Sequence, residues 1–372
     1  MAADAFDVEL ALDRVVAELD RELPTHVAAF ARAHAAGVSP PGAPALAHDV
    51  ATVRIAQRAL AFVELRPRAS ALLRIVAPLA IEHSPPVVRA RAAARTWAAW
   101  RRLVEARDAA ARALFGIGHT ALIDRLGGAE REASEADQGA DEGADDGAAP
   151  ARPDDVLAPP IAGWLAPAPD SEPLPARAVE EVWALACERQ RVAPGGLEIV
   201  RSAVARPRCF LIERGARAIV VIPPVLDTPA ARFQSLHELG HALLGLASRR
   251  EWPRAVDEAA ASSMARAMER PELLPAGWFS PLAAPARARR LALARGLAAI
   301  ERGCLEPPRE LARPPSALWD DAAAQAAYAR AETLADVLPV PVACGHDGAR
   351  GTGGLVEACE REAARIDAAL AL

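Results

Sequence analysis

The chain has 372 residues, 52% of them hydrophobic and 4% aromatic, and a net charge of −6. That length allows two or three domains with a sizeable core, and that composition excludes a wholly disordered polypeptide. All 43 basic residues are Arg, which reflects a coding bias; ten acids against Arg131 and Arg152 give residues 129–155 a net of −8, so the remainder carries +2 and offers no argument for a polyanion partner, direct nucleic-acid binding or a membrane surface.

The five cysteines (Cys187, Cys209, Cys304, Cys344, Cys359) are odd in number and scattered. Without a C-x-x-C pair they suggest neither a disulfide framework nor a Cys-type zinc site, and they read as free thiols in a reducing compartment. The start, Met1 to Asp7, has no basic segment followed by an apolar one. With no uncharged apolar run of about 18 residues, a soluble, cytoplasmic protein is expected.

The first 127 residues read as an all-helical domain. Val8, Leu12, Val15, Val16, Leu19 and Leu23 form one apolar stripe at helical spacing, and Pro24 is expected to end or kink it. The run 39–44 is a break, and helical patterns return over 46–66, 69–82 and 86–115. His26, His34, His48, His83 and His119 are spread singly and carry no ligand spacing.

Residues 128–175 read as a linker, first acidic, low in complexity and disordered, then Pro-rich and extended. From 176 to 372 the pattern is that of a second domain. Residues 177–191 form an amphipathic helix, and strands are predicted over Leu197–Val204, Cys209–Glu213 and Ala218–Ile222. Arg214-Gly215 lies at a hairpin turn. A helix follows over 229–248, then more helices. The fold class expected is α+β, mostly helical, with a small sheet feeding one functional helix.

That helix carries His237-Glu238-Leu239-Gly240-His241, an H-E-x-x-H sequence. Residues four apart share a helix face, so both imidazoles can reach one metal ion, and Glu238 projects beside it as a general base. A catalytic zinc site needs a third protein ligand and an open position. The best candidate is Glu258, on a helix predicted over 257–269; Asp257 is its rival as ligand, or the N-cap of that helix. Glu251 is too near the first helix to fold back. Stabilisation of an oxyanion falls to His346, Arg350 or Tyr328, the only Tyr. His346 sits in the Gly-rich run 344–348, which also reads as a plain connection. Gly240, costly by about 1 kcal/mol inside a helix, predicts close packing of another element, with a strand as the candidate.

The stretch Ala218–Leu244 resembles the ImmA/IrrE-type metallopeptidases, in which a strand and a short polar segment lead to Arg-Phe and then His-Glu-Leu-Gly-His; here these are Arg232-Phe233 and His237–His241. The likeness spans roughly 180–270. It implies a gluzincin, with His237, His241 and Glu258 on zinc and Glu238 as base, and a regulatory protease acting on a protein or peptide. The family's third-ligand motif reads Glu-x-Glu-Ala-Asn, whereas this chain has Asp257-Glu258-Ala259-Ala260. Glu258 to Glu272 is also similar to the third-ligand helix of thimet-type oligopeptidases, at a shorter His-to-Glu spacing. The alternatives to a zinc metallopeptidase are a non-catalytic zincin-like sensor or interaction module, and a zinc amidase.

Overall fold

The computed structural model describes residues 2–39, 41–93, 96–127, 152–159, 161–167, 173–175, 177–308, 310–311, 324–343 and 354–369. It is mostly helical with one small mixed sheet, the α+β class expected. No single helix among the described residues is long and apolar enough to cross a membrane.

The N-terminal helices are α1 (Ala2–Ala35), α2 (Val50–Ala59), α3 (Arg66–Glu82), α4 (Pro85–Ala93), α5 (Trp97–Phe115) and α6 (His119–Gly127). Val8, Leu12, Val15 and Leu19 of α1 meet Leu72, Leu73 and Val76 of α3, Leu103 of α5 and Leu122 of α6 in one core. Pro24 does not end α1, which continues for eleven residues beyond it. The reason is tertiary: Ala28 and Ala31 pack on Phe210, Ile212, Ile219 and Val221 of the sheet. Burying the Phe210, Ile212, Ile219 and Val221 side chains under α1 is worth roughly 1.5–3 kcal/mol each, enough to offset one lost backbone hydrogen bond.

The sheet consists of β1 (Leu197–Arg201), β2 (Arg208–Glu213) and β3 (Arg217–Ile222) in the order β1-β3-β2. β3 runs parallel to β1 and antiparallel to β2, so β2 is an edge. Side chains alternate along each strand. Phe210, Ile212, Ile219 and Val221 face α1, while Ala218, Val220 and Ile222 join the core built around the H-E-x-x-H helix. The sheet is thus the middle of three layers. Gly215 takes the left-handed turn between β2 and β3 (φ 74°), and its N–H donates to the Gly245 carbonyl at 2.8 Å, which ties the hairpin to that helix.

Ahead of the sheet, Pro153–Leu157 forms a short helix, α7, and Ala178–Gln190 forms α8. Of the acidic run 128–155, residues 128–151 lie outside the described residues, and Pro153–Asp155, predicted as disordered linker, belong to α7. The part predicted as an extended Pro-rich linker is anchored where it is described. Val156 is buried with Trp100, Leu297 and Ile300, and Leu174 forms a bridge with Leu226. Apolar side chains at 156, 164 and 174 gave the segment something to bury, which a purely polar linker lacks.

The remaining helices are α9 (Pro229–Ala247), α10 (Arg254–Ala265), α11 (Ala283–Glu301), α12 (Ala324–Val337) and α13 (Leu355–Ala369). Helix α9 opens with Pro229 at its first position and the Thr228 hydroxyl accepting from the Ala231 N–H at 3.0 Å, an arrangement that satisfies an orphan donor. Leu236, Leu239, Leu243 and Leu244 are fully buried. The described cysteines Cys187, Cys209, Cys304 and Cys359 are free thiols.

Candidate metal centre

Three side chains from two helices converge. His237 and His241 lie one turn apart on α9, with ring centroids 4.9 Å apart and planes at 89°. Glu258 reaches them from α10: its Oε2 is 3.2 Å from His237 Nε2 and 3.6 Å from His241 Nε2. One ligand atom from each of the three residues lies within 4.8 Å of the others. The approach of α10 depends on Gly240. A Cβ there would stand 2.5 Å from the Ala261 Cα and 3.0 Å from the Ala260 carbonyl oxygen. The element predicted to pack on Gly240 is therefore a helix rather than a strand, and that helix, α10, brings Glu258 to the same face as His237 and His241. Gly240→Ala is expected to destabilise the protein by about 1–3 kcal/mol in urea unfolding, since the clash with backbone outweighs the helix-propensity gain of about 1 kcal/mol.

Asp257 is not the N-cap. Helix α10 begins at Arg254 with Pro253 capping it, so Asp257 falls in the first turn and turns to His241 from behind, with Oδ2 3.1 Å from Nδ1. The carboxylate that faces both Nε2 atoms is that of Glu258; Asp257 occupies the position of an orienting partner for the imidazole. Glu251 points elsewhere, its carboxylate bonded to Arg214.

The electrostatics are those of a closely coupled cluster. Burial works against a charge on His241, but Asp257 and then Glu258 override it and hold the imidazole well above its ordinary range. Burial likewise opposes ionisation of Glu258, while His241 and His237 hold its carboxyl well below the usual carboxylate range. The donor set fits a zinc ion on this ground. Glu258 Oε2 and His237 Nδ1 are buried polar atoms with no hydrogen-bond partner among the described residues, and that oxygen lies between two imidazole nitrogens of the kind zinc takes.

Glu238 leaves the ligand group and turns to the sheet. Its Oε2 accepts from the Cys209 N–H on the edge strand β2 at 2.6 Å. This contact uses a backbone donor, so no residue type in the sequence announces it. The Cys209 thiol is pushed well above its ordinary value by burial, then by Glu238 and Asp257.

Compared with known proteins, the chain matches no family model, no curated protein and no solved structure. A functional reading therefore rests on the residues of the site.

Of the remaining predicted residues, Tyr328 lies on α12, where the Arg254 guanidinium stands 5.5 Å from its ring centroid. Arg254 in turn has Nε 3.9 Å from Glu258 Oε1. Tyr328 is thus one side chain removed from Glu258. His346 and Arg350 lie outside the described residues. Arg254 was missed at the sequence level, although its four-residue spacing to Glu258 on one helix is a recognisable ion-pair signal.

Proposed function

We propose that this chain is a zinc-dependent metallopeptidase of the gluzincin type, akin to the ImmA/IrrE-type enzymes, acting on a protein or peptide substrate. The observation that carries the reading is the position of Glu258 Oε2 beside both Nε2 atoms of the H-E-x-x-H helix. A bound zinc supplies Lewis acidity, which polarises a carbonyl and brings the pKa of a water to about 7.

The chain's own residues account for the proton. With one Glu238 oxygen held by the Cys209 N–H, the other is left to take the proton of the attacking water. As the C–N bond breaks, the same oxygen returns that proton to the leaving nitrogen. Asp257 stands behind His241, its Oδ2 3.1 Å from Nδ1, where it can orient the imidazole with Nε2 toward the site. The edge position of β2 puts a strand with an outward row of backbone groups beside the general base, where an extended peptide can align.

The test is metal content and its removal. Purified protein is expected to hold about one zinc per chain, to cleave members of a peptide library, and to lose cleavage on chelation and recover it on zinc addition. Zinc retained without cleavage of any peptide would favour the non-catalytic zincin-like module; cleavage confined to non-peptide amides would favour the amidase.

A further inference from the structure

We propose that Asp367, with Arg74 and Arg250, is a positioning node for the metal centre, through which the N-terminal helices hold Glu258 in place. The inference rests on the reading of His237, His241 and Glu258 as metal ligands.

The two ligand-bearing helices are joined by residues 248–253, a stretch without helix or strand. Where this connection ends decides where α10 begins, and Glu258 lies on the second turn of α10. The Gly240–Ala261 crossing fixes one point of α10; the connection must fix another. Its internal bonding is slight, with the Arg250 N–H donating to the Ser248 hydroxyl at 3.1 Å. The remaining restraints come from outside. Arg214 of the β2–β3 turn bonds the Glu251 carboxylate. Arg74 of α3 reaches the Glu251 carbonyl at 3.5 Å. The Arg250 guanidinium bonds Asp367 Oδ2 and stacks on the buried Trp252, 5.4 Å from its ring centroid.

Asp367, on the last turns of α13, gathers these contacts. Its Oδ1 accepts from Arg74 Nη2 at 2.5 Å and from the Ser70 hydroxyl at 3.3 Å, while Oδ2 takes Arg250. Arg74 also donates from Nε to the Leu126 carbonyl at 3.1 Å at the end of α6. Arg74 and Asp367 are largely withdrawn from solvent, with side-chain exposures of 6% and 12%, while Arg250 is 29% exposed. One carboxylate therefore pairs two guanidiniums, one from the N-terminal bundle and one from the connection between the ligand helices. In such a setting the pair is held in one geometry, because leaving either cation without its anion is costly. The N-terminal helices are accordingly braced against the site.

The experiment measures zinc dissociation constants by chelator competition on the full chain, for the wild type, Asp367→Asn, Arg250→Met and Arg250→Lys, with Glu258→Gln as the control. Arg250→Met removes the bond to Asp367 and the stacking on Trp252 but leaves Arg74, Ser70 and Asp367 together, with Arg74 still reaching the Glu251 carbonyl, so it remains informative if Asp367→Asn fails to fold. Positioning predicts that Arg250→Met keeps the metal-free melting temperature within a few degrees yet binds zinc roughly tenfold more weakly, the low end of what outer-shell changes cost. Arg250→Lys should recover part of that loss. A purely structural role would lower the melting temperature and leave the affinity of the folded protein unchanged. Unaltered affinity in Arg250→Met, with zinc bound by the wild type and lost in Glu258→Gln, would overturn the node alone. Absence of zinc from the wild type would overturn the metal centre and the node with it.

Discussion

Glu238→Gln is expected to retain zinc at the wild-type level and to lose peptide hydrolysis by about 10²–10⁴-fold in kcat, the usual contribution of a positioned general base. Zinc should be retained because the side chains whose donor atoms converge are His237, His241 and Glu258, not Glu238. The fold is retained because a Gln side-chain oxygen can still accept from the Cys209 N–H, as Glu238 Oε2 does at 2.6 Å. What is lost is the second oxygen: an amide nitrogen there has no lone pair free to take a proton. The loss should fall on kcat with KM little changed, because in the proposed mechanism the carboxylate would act on the water rather than on the substrate's binding groups. Metal analysis alongside steady-state kinetics checks it. A variant that keeps its zinc and its full kcat would remove Glu238 from the mechanism.

The difference between Glu238 and its neighbours shows where the sequence was readable. His237 and His241 are legible because helical periodicity fixes which residues share a face, and that holds whatever surrounds the helix. Glu258 is legible for a related reason: a short break followed by an Ala-rich helix leaves few carboxylates able to return to the first helix. The strands were found from their Val and Ile content and the Gly215 turn, each a local signal. The continuation of α1 past Pro24 was not legible, because it depends on Phe210 and Ile219, almost two hundred residues away. The Cys209 amide that holds Glu238 was hidden for a different reason, since backbone donors have no residue identity. The brace on residues 248–253 joins Arg74 to Asp367, 293 residues apart, and no periodicity links such positions.

Glu258→Gln is expected to reduce zinc affinity by more than about 10²-fold, beyond the 10–100-fold typical of outer-shell changes. The substitution keeps the side-chain volume, so the Gly240–Ala261 contact need not shift, but it replaces an anionic ligand by a neutral amide. The same change should alter how the metal-free protein responds to pH, and the two shifted groups give the signs. Glu258 is held below its ordinary value of 4.5. Its stabilising contribution is therefore present above that value and is lost as pH falls through the lowered one. His241 is held above its ordinary 6.5. Its contribution is present below 6.5 and is lost as pH rises through the raised value. Between those limits the metal-free cluster is internally paired, and stability should be greatest there. Glu258→Gln removes the acid-side term outright. It also takes from His241 one of its two carboxylates, leaving Asp257 alone behind Nδ1 at 3.1 Å, so the alkaline-side loss should begin at a lower pH. Urea unfolding of metal-free protein at acid, neutral and alkaline pH would show both effects. Identical pH profiles for wild type and variant would mean that Glu258 is not coupled to the two imidazoles.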